Sequence, residues 1–141
     1  MKKVLLFGLS IAALTFVSCS DDDGDSSSTS ASIEGKWYIS KEGVSVNGQE
    51  VLQDYDDHEP GCEKDYVEFL ANGDYKYVDF YNSDCDSYVE ETTWTKSGNS
   101  INTGDGEDGT IVILTASTLK ITYAETFEGQ TVNYVDVFTR E

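Results

Sequence analysis

The chain has 141 residues, and 27 acidic against 9 basic side chains give a formal net charge of −18. That length holds one modest domain. The shortage of Lys and Arg excludes a nucleic-acid surface or a basic patch for anionic lipid, and an aromatic share of 12% excludes a wholly disordered chain.

Met1-Lys2-Lys3 is a short basic start, and Val4–Val17 is an apolar run broken only by Gly, Ser and Thr. The run is shorter than the ~20 residues that span a bilayer and fits the apolar core of a secretory signal. Phe16-Val17-Ser18-Cys19 resembles a bacterial lipobox. The resemblance implies a signal peptide over 1–18, cleavage before Cys19, and a lipid such as palmitate on that Cys. Ser20-Asp21-Asp22-Asp23 resembles the acidic export signal of surface lipoproteins in some Gram-negative bacteria; a solvated acidic spacer reads equally well. Residues 19–32 are Ser- and Asp-rich with no large side chain after Cys19, so a flexible tether is expected there. The expected location is the outer membrane, on the cell surface, held by N-terminal lipid alone.

From Ile33 to Glu141 the pattern is all-β. Short runs rich in Val, Ile, Thr, Tyr, Phe and Trp recur between turn signals. The candidate strands are Glu34–Lys41, Val44–Val46, Glu50–Leu52, Lys64–Ala71, Asp74–Tyr81, Ser87–Lys96, Ser100–Thr103, Thr110–Thr115, Thr118–Thr126 and Gln130–Arg140. Asn47-Gly48 and Asn72-Gly73 are hairpin pairs, and Ser97-Gly98-Asn99, Gly104–Gly109 and Glu128-Gly129 are further loops. Consecutive short strands pair antiparallel. Closing them into an up-and-down barrel of about eight strands removes exposed edges; a β-sandwich is the alternative.

Cys62 and Cys85 form an even pair once Cys19 carries lipid, and an exported chain meets an oxidising compartment, so a disulfide between them is expected. The register of the hairpin around Asn72-Gly73 has two solutions. A two-residue loop places Val67 opposite Val78 and brings Cys62 within one diagonal step of Cys85. A three-residue loop places Val67 opposite Tyr77 and Phe69 opposite Tyr75.

Gly35-Lys36-Trp37 at the first strand, Arg140 at the last, and a Cys pair about an Asn-Gly hairpin resemble the lipocalin-like domain of small bacterial outer-membrane lipoproteins. The resemblance implies that Trp37 closes one end of the barrel with Arg140 stacked across it. Gly35, Trp37 and Arg140 then have a structural role, worth about 0.5–2 kcal/mol for the cation–π contact.

Signs of catalysis are sparse. His58 is the single His and sits in an acidic segment that reads as exposed loop. Asp54, Asp56, Asp57, Asp105, Glu107 and Asp108 offer oxygens for a cation, but ordinary polar turns explain them better. No enzyme, cofactor or metal is expected. Tyr75, Tyr77, Tyr88, Trp94, Tyr123 and Tyr134 lie on candidate strands and are the candidate lining of a pocket, or alternatively the filling of a solid barrel. The leading expectation is a monomeric, non-enzymatic binding module for a small hydrophobic ligand. The alternatives are an acidic module that captures or inhibits a basic protein, as lysozyme inhibitors do, and a purely structural surface domain.

Overall fold

The computed structural model describes residues 31–104 and 108–140, omitting the side chain of Phe127. Cys19, the Ser20–Asp23 segment, Asp105 and Glu107 lie outside the described residues. The described part contains ten strands. They are β1 (Gly35–Val46), β2 (Gln49–Asp54), β3 (Tyr66–Phe69), β4 (Asp74–Phe80), β5 (Ser87–Thr93), β6 (Thr95–Ser97), β7 (Ser100–Asn102), β8 (Asp108–Leu114), β9 (Thr118–Phe127) and β10 (Gln130–Thr139).

All pairings are antiparallel, in the order β5-β4-β3-β1-β10-β9-β8-β7-β6, with β2 also on β1. Two pairs of segments act as single staves. β2 lies along the C-terminal half of β1 and β3 along its N-terminal half, so they are one stave interrupted by an excursion over residues 55–65. β5 and β6 are separated only by Trp94, where the chain leaves β4 and takes up β7. Counted this way the sheet has eight staves in sequence order, and its two ends meet at Trp94. The result is an up-and-down antiparallel barrel. Gly104 marks the seam: a Cβ there would meet the Thr93 carbonyl at 2.8 Å.

Two expected strands, Glu34–Lys41 and Val44–Val46, are one continuous β1. Gly43, in the gap between those two expected runs, is required by close approach, since a Cβ on it would lie 2.0 Å from the Val51 carbonyl oxygen. The pairing of β1 with β10 slips at Ser40, between Ile39 and Lys41. A bulge there increases the local twist. Beyond it the β1–β2 hairpin curls outward: Lys120 on β9 reaches Glu50 on β2 at 2.6 Å, although two strands separate them in the sheet. Val135, which faces outward opposite Gly43, is fully buried.

The β3–β4 hairpin adopts the three-residue register, with Val67 opposite Tyr77 and Phe69 opposite Tyr75. Gly73 takes a positive φ of 90° at the end of the loop, and Leu70 N–H bonds the Asp74 carbonyl. The Cys62–Cys85 disulfide forms as well, with Cα atoms 5.5 Å apart. Strand register does not constrain it, because Cys62 lies in the excursion and Cys85 in the β4–β5 loop.

Alternate residues of each stave face inward. At one end the interior is filled by Trp37, Phe69, Ile101, Ile111, Leu114, Leu119, Ile121 and Phe138, all buried in one cluster.

Candidate functional site

The barrel has a closed end and an open one. At the closed end the Arg140 guanidinium lies 3.8 Å from the centre of the Trp37 ring. Trp37 is fully buried, and its indole N–H donates to the Ile33 carbonyl at 2.7 Å. Arg140 also donates to the carbonyls of Ile33 at 3.1 Å, Ser32 at 3.3 Å and Glu34. Burial lowers its pKa, yet the charge stays useful because these three carbonyls, that of Lys36 at 3.4 Å from Nε, and an indole face surround it. Gly35, with φ of 105°, opens β1 directly under Arg140 Nη2. A side chain there would be strained and would crowd the guanidinium.

The open half is polar. Asp65 stands in the inward phase of β3, two residues before Val67, and has no exposure. A buried carboxylate must be satisfied by donors. Its Oδ1 accepts the Phe80 N–H at 2.8 Å and its Oδ2 accepts the Tyr55 hydroxyl at 3.2 Å. His58 lies against both: Nδ1 is 3.0 Å from the Asp65 backbone nitrogen and 3.2 Å from Oδ2, while Nε2 is 2.9 Å from the Ile39 carbonyl. Its ring meets Tyr55 edge-on at 4.7 Å. Tyr55 and Tyr77 are hydrogen-bonded, and both phenols are pushed up, first by burial and then by their neighbours: Tyr77 and after it Asp65 for Tyr55, Asp79 for Tyr77. Asp79 is raised too, by burial and then by Asp65 and Asp57. The excursion 55–65 thus delivers a connected polar group to the barrel mouth.

One cleft shares Tyr77 with this group, and a second lies along β1, β2 and β10. The first, of about 220 Å3, is lined by Tyr75, Tyr77, Glu90 and Thr92 across β4 and β5. The other, of about 310 Å3, lies between Glu42, Gly43, Val44, Gln53, Tyr134 and Asp136. Pairing places Glu42 beside Asp136 and Asp136 beside the core residue Ile121, so both carboxylates face inward at the rim. The two clefts combine phenol faces with carboxylate acceptors. They suit a ligand with a flat or apolar body and hydrogen-bond donors, not an anion.

The lipocalin-like domain family matches residues 33–121 of this chain. The chain belongs to that family. Comparison with curated proteins finds no match. Among solved structures the lipocalin-like domain is similar to a bovine odorant binding protein, a deswapped triple mutant, at 16% identity and a TM-score of 0.42, covering 76% of this chain and 72% of that one. It is also similar to the siderocalin Ex-FABP at 15% identity and a TM-score of 0.44, covering 77% and 73% respectively.

Within this lipocalin-like domain the pairing puts Tyr75, Tyr77, Tyr88, Tyr123 and Tyr134 in the inward phase of their strands, while Trp94 lies between β5 and β6. Tyr75, Tyr77, Trp94 and Tyr123 pack against the buried cluster. Trp94 sits edge-on to Phe69 at 5.4 Å and donates its indole N–H to Leu70, anchoring the switch between β5 and β6. Tyr88 and Tyr134 stand higher, 54% and 46% exposed. His58 differs from its expected exposed-loop setting: its side chain is 22% exposed and wedged between β1 and Asp65. Among the described residues no three His, Cys, Asp or Glu are grouped for a metal; Asp54 instead pairs with Lys41, and Asp108 accepts from Asn102 at 2.8 Å. Tyr55 and Asp65 carried no local motif. The available signal for Asp65 was its phase, an acid in step with Val67 and Phe69 on an otherwise apolar strand face.

Proposed function

We propose that this domain is a non-enzymatic binding module that takes a small molecule into the open end of its barrel. The observation that carries the reading is the division of the interior: a packed apolar floor on the Trp37 side, and phenol- and carboxylate-lined clefts above it. The ligand class is a compact hydrophobic or aromatic body, to lie on Tyr77 and Tyr134, bearing donors or a positive charge for Glu42, Glu90 and Asp136. The module works on the outside of a Gram-negative cell, carried by acyl chains on Cys19; the lipobox-like tract and the acidic segment after it support this placement.

The test is native mass spectrometry of the protein purified from its own cells. A co-purifying small molecule that is lost when Tyr77 or Tyr134 is replaced by Ala is the expected result, and bare polypeptide from several growth conditions overturns the reading. Cys19→Ala should move the protein from the membrane fraction to the soluble one, and retention on membranes would reject the anchor.

A basic protein partner is the second reading. Lys36, Lys41, Lys76 and Lys120 are each paired with a carboxylate, which leaves an acidic excess on the surface. Capture by charge falls steeply with ionic strength, whereas uptake of a small apolar ligand barely changes.

A further inference from the structure

At the point where the excursion rejoins the sheet, one rung of the β-ladder is built from a side chain. The Ile39 N–H donates to the Asp65 carbonyl at 3.1 Å, as an antiparallel pair requires. The return bond passes through an imidazole: Asp65 N–H donates to His58 Nδ1 at 3.0 Å, and His58 Nε2 lies 2.9 Å from the Ile39 carbonyl. A carbonyl only accepts and a backbone N–H only donates. The ring completing this rung is therefore neutral, with its proton on Nε2 and its lone pair on Nδ1.

Nδ1 has a second neighbour. Asp65 Oδ2 is 3.2 Å away and is also the acceptor of the Tyr55 hydroxyl. A proton arriving on Nδ1 ends its bond from the Asp65 backbone and directs the ring at Oδ2, where it competes with Tyr55. The titratable groups that touch the ring are Tyr55 after β2 and Asp65 before β3; behind them Tyr77 and Asp79 on β4 and Asp57 on the excursion interact electrostatically with one another, and Tyr77 and Asp79 also with Asp65. β1 contributes the Ile39 carbonyl. The cationic ring is thus offered the Asp65 carboxylate at the same moment that it loses its place in the ladder.

The geometry points to His58 as an acid-operated latch on the mouth. Neutral, it splices the excursion 55–65 into the sheet and holds Tyr55 on Tyr77; protonated, it exchanges the Asp65 backbone for the Asp65 carboxylate and frees the Tyr55 end. The Cys62–Cys85 disulfide tethers the middle of the excursion to the β4–β5 loop, so the opening is local. Imidazole is the side chain whose charge ordinarily changes between about pH 5 and 8, and gain of a proton by the ring is the event that loosens the mouth. That this releases a ligand rests on the binding reading above; the latch itself does not.

The test follows amide hydrogen exchange of the full chain, and the His58 ring by NMR, from pH 8 to 5. After correction for the intrinsic pH dependence of exchange, protection of the Asp65 amide should fall by roughly fivefold to tenfold, the worth of one net hydrogen bond. The fall should track the His58 titration, while Val67 and Ile121 stay unchanged. His58→Gln keeps an acceptor and a donor but takes no proton, so its protection should be flat across the range. His58→Ala should be low at every pH. A wild-type Asp65 amide indifferent to the His58 titration, or the same pH dependence in His58→Gln, overturns the latch. Because exchange is read without ligand, a protein that binds nothing sinks the binding reading and leaves this result standing; the reverse outcome sinks only the latch.

Discussion

The Arg140 guanidinium lies over the Trp37 ring, 3.8 Å from its centre, and donates to the carbonyls of residues 32–34. One side chain from the last strand thereby fastens the segment leading into the first. Trp37→Ala should cost about 3–5 kcal/mol, the usual loss for a large buried aromatic. Arg140→Lys keeps the charge but loses the planar fork, and should cost about 1–2 kcal/mol. Denaturant melts read both, and an Arg140→Lys midpoint equal to wild type would show that the fork contributes nothing.

Gly43 should not tolerate even a methyl group. A Cβ there would lie 2.0 Å from the Val51 carbonyl and 2.9 Å from Leu52 Cδ2. Gly43→Ala is expected to cost about 1–3 kcal/mol by overpacking and to raise hydrogen exchange selectively in β2 and the C-terminal half of β1. Uniform exchange with an unaltered melt would mean that the hairpin does not curl as described. Lys120→Ala, which removes the ion pair to Glu50, should cost under about 1 kcal/mol.

The Asp79 carboxyl is raised from its ordinary value by burial and then by Asp65 and Asp57. Such a group binds its proton more tightly folded than unfolded. Its stabilising contribution is complete below the ordinary carboxylate range and is lost as pH rises through the raised value. At neutral pH the ionised side chain is a small liability, reduced by solvent screening, so Asp79→Asn should raise Tm slightly. The gain should shrink as pH falls into the carboxylate range. Thermal melts at pH 7 and 4 check this; a lower Tm at pH 7 would show that the negative charge has a partner it needs.

Replacing Cys62 and Cys85 together by Ser should cost about 3 kcal/mol on the chain-entropy account. The barrel persists, because neither residue belongs to a strand. Limited proteolysis should therefore cut first within residues 55–65 and 81–86. Cleavage starting elsewhere would mean that the bridge supports the barrel as a whole.

The strand pattern was largely legible because each stave alternates and most turns carry Gly. Asn47-Gly48 and Glu128-Gly129 both take positive φ, as two-residue hairpins need. Two boundaries failed for tertiary reasons. Gly43 lies in the gap between two expected runs, and crowding from Val51 and Leu52 is what demands it. Trp94 carries no breaker signal, and the break exists because the chain changes neighbours there. The polar group at the mouth was hidden more deeply. Asp65 meets Tyr55, His58 and Phe80 across separations of 10, 7 and 15 residues. Such contacts depend on the excursion folding back, which no local propensity encodes. The hairpin register stayed open for a related reason: the cysteine argument assumed that both sulfurs sat on the ladder.

Ala31 and Ser32 reach the domain beside Ile33, next to Trp94 and Arg140, whereas Tyr134 stands at the far rim. The molecule is therefore polar along its axis, like a goblet whose stem joins the base. A mechanical tug applied at residue 31 therefore loads the Trp37 clasp first and spares the brim at the opposite end.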